Sequence, residues 1–144
     1  MRVVVQRSLK SKVLIAGKTV AEISRGMVCL ACFEKEDREE CLNLASRKLS
    51  SLRMFPDREG RMAKDITQTG GEFLCVSQFT LSWRGTGGNR PSFEQSMPFA
   101  KAKKYYDTFC EKLNNYASVK RGIFGETMQI QIENDGPVTF FLQF

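Results

Sequence analysis

Three short segments hold residue types that can do chemistry. The first is Ser77-Gln78-Phe79-Thr80-Leu81. Ser and Thr hydroxyls become nucleophiles when a nearby base takes their proton. The chain contains no histidine. That excludes Ser-His-Asp and Cys-His pairs, His-ligated metals and any imidazole base. Proton transfer at this site must therefore run through another group. On an extended strand, Ser77 and Phe79 share one face and Gln78 and Thr80 the other. The plainer reading of the segment is a polar strand end meeting a loop.

The second segment is Asn134-Asp135-Gly136-Pro137-Val138-Thr139. It reads as a hairpin turn, and its glycine permits backbone angles and close approaches closed to other residues. The third is Arg84–Phe93, glycine-rich, with Arg84 and Arg90 as candidate phosphate ligands. Its plainer reading is a solvated surface loop. Cys29-Leu30-Ala31-Cys32 has CxxC spacing but no second pair and no histidine. It also lies in a strand-like run, where residues three apart point to opposite faces. No metal site and no cofactor are expected.

These segments must be positioned by a domain of 144 residues, 42% hydrophobic and 26% charged, which is ordinary globular composition. The chain reads as one domain, residues 1–144. No apolar run approaches the ~20 residues that span a bilayer. The opening Met1–Arg7 has three apolar residues between charges, which reads as a first strand and not as a signal peptide. Five cysteines, mostly in apolar runs, suggest free thiols in a reducing cytoplasm. The net charge of +6 is spread over both halves. It suits a nucleic acid or phosphate partner.

Periodicity predicts short strands at Val3–Gln6, Lys12–Ile15 and Thr19–Ile23, and a fully buried strand at Met27–Phe33. It predicts a helix over Glu34–Ser51 and a long strand over Glu72–Leu81. Ser96 reads as the cap of a second long helix, with Phe99, Ala102, Tyr106, Phe109, Leu113 and Tyr116 as its apolar stripe. Val119–Lys120, Met128–Ile132 and Val138–Phe144 complete the strands. The fold class is mixed α/β. The expected architecture is a strand-rich single domain with a largely antiparallel, barrel-like pair of sheets and two long helices packed on one side.

Taken together, the segments MRVVVQR, SLRMF, GGEFLCVSQFTL, GNRPSF, FGETM and NDGPVTF resemble the D-aminoacyl-tRNA deacylases along essentially the whole chain. Three positions depart from the family pattern. Ser82 follows SQFTL where Tyr is frequent, Ala63 replaces an Asn, and the loop after SQFTL reads SWRGTGG.

The resemblance implies a homodimer with active sites at the subunit interface. It implies hydrolysis of the ester that joins a D-amino acid, or glycine, to the 3′-terminal adenosine of tRNA, with L-aminoacyl-tRNA spared. Carried over, the Gly136-Pro137 bond is cis, and its loop with Val138 and Thr139 reaches into the other subunit's site. There main-chain carbonyls hold the substrate's ammonium and exclude an L side chain. Arg7 braces that loop, and Phe124 and Met128 line the adenosine pocket. Main-chain amides of Ser77, Gln78, Phe79 and Thr80 form the oxyanion hole, assisted by the 2′-hydroxyl of the RNA; Thr80 as nucleophile is the alternative. A different class of function stays open beside this one: a non-catalytic tRNA-binding module of the same fold.

Overall fold

The computed structural model describes residues 1–85 and 88–144. Thr86 and Gly87, in the middle of the glycine-rich segment that follows SQFTL, lie outside the described residues. The chain opens with one strand of 14 residues, β1 (Arg2–Ile15), where two short strands are expected from the pattern. A two-residue turn at Ala16-Gly17, both with positive φ, returns it as β2 (Lys18–Ile23). That geometry matches the twist of an antiparallel pair. β3 (Gly26–Cys32) is buried almost throughout and pairs antiparallel with the first half of β1.

Helix α1 (Glu39–Ser51) starts five residues later than its apolar pattern suggests. Residues 34–38 do other work. Glu34 forms a bridge to Ser96, and its N–H donates to the Asp37 carboxylate at 2.7 Å. Leu42, Ala45 and Leu49 then repeat at helical spacing and face the core. A small ribbon follows, β4 (Phe55–Pro56) with β5 (Met62–Lys64), and a single turn α2 (Ile66–Thr69). A reciprocal capping box between Asp65 and Gln68 closes that turn.

β6 (Glu72–Ser77) runs parallel to β3. It is shorter than its sequence suggests. The chain leaves the sheet at Gln78 (φ −143°, ψ 76°) and winds into a 3-10 turn, Phe79–Ser82. Helix α3 (Phe99–Asn114) begins after Pro98 without a side-chain cap. Ser96 is not the cap; its hydroxyl meets the Phe79 carbonyl at 3.2 Å and the Ser82 hydroxyl at 2.8 Å. β7 (Val119–Arg121) runs parallel to β6, and β8 (Gln129–Gln143) runs antiparallel along the outer side of β1.

β8 is a single strand where a hairpin is expected. The predicted turn at Asn134–Pro137 does not reverse the chain, because β1 is long enough to pair on both sides of it. Thr139 is opposite Gln6 and Asn134 is opposite Ser8. Five steps on β8 thus face two on β1, so the segment bulges out of a continuous ladder. β1 has a compensating irregularity between Ser8 and Ser11.

The main sheet has six strands, ordered β2-β1-β3-β6-β7 with β8 on β1, and it curls so that β2 approaches β6 and β7. One core lies under α1 and α3, built on Phe55, Phe73, Tyr106 and Phe109. A second, Val13, Ile23, Val28, Leu74 and Val76 with Ile130 and Ile132, fills the inside of the curl. This is the mixed, strand-rich, barrel-like arrangement expected, with one curled six-stranded sheet and the small β4-β5 ribbon in place of a pair of facing sheets. The parallel pairs around β6 are what periodicity did not foresee. No helix of the described residues is long and apolar enough to cross a membrane.

Candidate active site

The sheet and α3 enclose a cavity of about 500 Å³. Its wall at the end of β6 is Ser77, Gln78 and Phe79. Phe124, Met128 and Ile130 also line it, with Phe99 from the start of α3, Met97 just before that helix and Cys32 from β3. The lining is mostly apolar with a few polar groups, which is the character of a small-molecule site. Phe124 stands between Phe99 (ring centroids 5.1 Å apart) and Tyr106 (5.6 Å). The Tyr106 hydroxyl bonds the Cys75 and Gly122 carbonyls at 2.9 and 3.1 Å, which fixes that ring from behind.

The exit from β6 sets the donors. The Gln78 N–H is taken by the Ala31 carbonyl at 2.7 Å, so it is not free to meet a ligand. Among the described residues, the Phe79 and Thr80 N–H groups have no acceptor. They are the leading amides of the 3-10 turn, which its own ladder leaves unpaired. The strand-face pattern expected for Ser77 to Thr80 does not hold, because a 3-10 turn replaces the strand from Phe79 onward. Thr80 is exposed, and its hydroxyl accepts from the Gln78 side-chain amide. No carboxylate or amine among the described residues bonds to it.

Cys32 is the one thiol on the cavity wall. Burial first, then the nearby Glu34 and Asp37 carboxylates, push it up to about 11. It is a neutral thiol at physiological pH and no nucleophile. Its Sγ donates to the Phe79 carbonyl at 3.5 Å. Among the described residues no cluster of three or more Cys, Asp or Glu could hold a metal.

The other candidate residues gather elsewhere on the chain. Arg7, buried on β1, donates from Nη1 to the Met54 carbonyl at 2.8 Å. Its Nε lies 2.8 Å from the Asp135 carboxylate, an ion pair whose N–H does not point along the contact. Asn134 ties the bulge down. Its Nδ2 donates to the Arg7 carbonyl at 2.9 Å and the Val138 carbonyl at 3.1 Å, and its Oδ1 accepts from Thr139 at 3.3 Å. The Gly136-Pro137 peptide is cis, and Gly136 has φ +120°.

The structure therefore brings Ser77, Gln78, Phe79, Phe124 and Met128 together, and brings Arg7, Gly136, Pro137, Val138 and Thr139 together. Within one chain, the second group does not line the cavity of the first. Phe99 is the site residue that periodicity hides. It continues the apolar stripe of α3 but is 66% exposed, at the cavity mouth against Phe124. Arg84, a candidate phosphate ligand, pairs with Glu34 at 3.3 Å instead.

The chain resembles known proteins along its whole length. Residues 4–143 match the family model described as D-Tyr-tRNA(Tyr) deacylase. A D-aminoacyl-tRNA deacylase of Chlorobaculum parvum is 44% identical over 145 residues, covering 99% of this chain and 97% of that protein. One from Nautilia profundicola is 41% identical, covering 99% of each chain. Among solved structures, one titled c-Myc DNA Unwinding Element Binding Protein superposes with a TM-score of 0.95 at 38% identity, covering 100% of this chain and 99% of that one. A second, titled as a probable eukaryotic D-amino acid tRNA deacylase, shares the fold at a TM-score of 0.84 and 20% identity, covering 98% and 97%. With a full-length family match, close relatives and a superposable fold, the chain belongs to the D-Tyr-tRNA(Tyr) deacylase family of hydrolases.

Proposed function

We propose that the protein hydrolyses the ester of D-aminoacyl-tRNA, and of glycyl-tRNA, releasing the amino acid and the tRNA while sparing L-aminoacyl-tRNA. The 3′-terminal adenosine occupies the apolar cavity, with its base against Phe124 and Met128. The ester carbonyl turns toward Phe79 and Thr80. Their N–H groups stabilise the oxyanion as water adds, each donor worth ~2.7–4 kcal/mol. The acid–base role passes to the substrate's own 2′-hydroxyl, since no imidazole is available in this chain.

Handedness is read by main chain. The working unit is a cytoplasmic homodimer in which the Gly136-Pro137 bulge of one subunit reaches the cavity of the other. Its carbonyls take the substrate's ammonium and leave space only for hydrogen where an L side chain would stand. D side chains point away, so their identity matters little. Rejection by clash and by a stranded ammonium is the effective route to a large ratio, each tenfold requiring ~1.4 kcal/mol.

The observation that carries this reading is the pair of Phe79 and Thr80 amides without an acceptor among the described residues. They belong to a turn whose first residue, Phe79, lines a cavity with no activated side-chain nucleophile, Thr80 itself standing exposed outside that lining. The division of the candidate residues into two groups on one chain supports the cross-subunit arrangement. So does the outer edge of β8, which has no partner strand among the described residues and exposes Phe141. The test is incubation of purified protein with D-tyrosyl-tRNA and L-tyrosyl-tRNA. Loss of the D ester alone supports the reading. Salt-sensitive tRNA binding without turnover identifies a binding module instead.

A further inference from the structure

Against the 3-10 turn lies a buried ion pair. Arg2 and Glu34 are 6% and 7% exposed. Arg2 Nε meets Glu34 Oε2 at 3.2 Å, and Arg2 Nη1 donates to the Leu81 carbonyl at 2.9 Å. The second Glu34 oxygen meets Arg84 Nη2 at 3.3 Å. The main chain of Glu34 also bridges to Ser96, whose hydroxyl donates to the Phe79 carbonyl at 3.2 Å. Glu34 thus grips the turn at both ends, through Arg2 at Leu81 and through Ser96 at Phe79.

A buried ion pair is weak evidence of stability, because desolvation offsets the attraction. Its geometry is informative here. A planar guanidinium can serve a carboxylate and a carbonyl at once from one fixed plane, which lysine cannot do. The Arg2 and Ser96 ties to the main chain of the turn both reach carbonyls, at Leu81 and Phe79, while the Phe79 and Thr80 amides have no acceptor among the described residues. Preorganised donors accelerate a reaction only where they are already in place when charge develops.

We propose that Arg2 is a positioning residue for the hydrolysis: clamped by Glu34, it holds the Leu81 carbonyl and thereby fixes the turn that presents the Phe79 and Thr80 amides to the ester. This rests on the reading of those amides as the oxyanion donors. Arg2 touches neither substrate nor reacting atoms in this account. Its loss therefore lowers kcat and leaves KM nearly unchanged.

The experiment is steady-state deacylation of a D-aminoacyl-tRNA by the wild type, Arg2→Met, Arg2→Lys and the double variant Arg2→Met, Glu34→Leu. The double variant removes both buried charges together, so no orphaned carboxylate threatens folding. Thermal melting verifies the fold of each. The expected result is a kcat about 10–100-fold lower in Arg2→Met and in the double variant, the scale of a displaced catalytic geometry. KM stays within about threefold, and Arg2→Lys falls between. Ser96→Ala, which removes the shorter of the two bonds to the Phe79 carbonyl and leaves that from Cys32, lowers kcat in the same sense and gives a readout independent of the ion pair. A folded double variant with wild-type kcat, or one altered only in KM, overturns the role of Arg2 while the hydrolase reading stands. A wild type that turns over no D ester overturns that reading first, and this role with it.

Discussion

The Nη2 atom of Arg7 stands 2.8 Å from the point where a Cβ on Gly136 would sit. The two residues are far apart in sequence, and the brace between them depends on the glycine having no side chain. Val138 Cγ2 crowds the same point at 2.7 Å, and a φ of +120° is one that L side chains rarely adopt. Gly136→Ala therefore has to push the bulge off Arg7. The expected outcome is ~1–3 kcal/mol lost in chemical denaturation, the usual scale for a side chain forced into such a backbone region. Deacylation should fall by about 100-fold or more, the scale set by a misplaced binding group. Wild-type kinetics in this variant would remove the bulge from the mechanism.

Thr80→Ala should keep the rate within a few-fold of wild type, about what loss of one exposed neutral hydrogen bond implies. The Thr80 hydroxyl is engaged by Gln78 and has no base beside it. Its N–H survives the substitution. Single-turnover deacylation measures this. A drop of about a thousandfold or more with an intact fold would make the hydroxyl the nucleophile.

The placement of Phe124, ring to ring with Phe99 and Tyr106, predicts a binding effect. Stacking a base on an aromatic ring is worth ~1–3 kcal/mol. Phe124→Ala should raise KM for D-aminoacyl-tRNA by about 5–150-fold, the same range expressed as a ratio. An unchanged KM would move the adenosine elsewhere.

How much of this was legible beforehand depended on whether local pattern or tertiary context decided each element. The alternation of Ile130 and Ile132 and the helical repeat of Leu42, Ala45 and Leu49 were visible because one face of each is buried. The turn character of Asn134–Pro137 misled, because whether such a segment reverses the chain depends on the length of the strand beside it, here β1. The helix start misled for a similar reason. Glu34 has good helical propensity, but a bridge to Ser96 and an ion pair with Arg2 outweigh it. At the site, Ser77 to Thr80 could be named from their types. That the Gln78 amide is consumed by Ala31 while those of Phe79 and Thr80 stay unpaired could not, since it follows from where β6 ends against β3. Arg2 read as an ordinary charge on the first strand until its partners were in view.

Cys32 supplies a pH prediction. Burial first, then the Glu34 and Asp37 carboxylates, push its thiol in the folded chain from the ordinary value of 9.0 up to about 11. The protonated form is favoured by folding, so this contribution to stability is complete below pH 9 and declines as pH rises through 11. Denaturant midpoints should fall over that window, and Cys32→Ser should flatten the decline. Alkylation of Cys32 in the native protein should be far slower at pH 8 than in the unfolded chain. Equal labelling rates would mean the thiol is neither buried nor raised.

The most direct test of the central claim, that main-chain geometry and not a side-chain pocket reads handedness, is a substrate series. Initial rates would be compared for tRNA carrying glycine, D-alanine, D-aspartate and D-phenylalanine, with L-phenylalanine as the mirror image. The account predicts that kcat/KM for the D esters and glycine lies within about tenfold, while the L ester is slower by about a thousandfold or more, equivalent to ~4 kcal/mol of rejection. A spread among the D esters as large as the gap between D- and L-phenylalanine would contradict it.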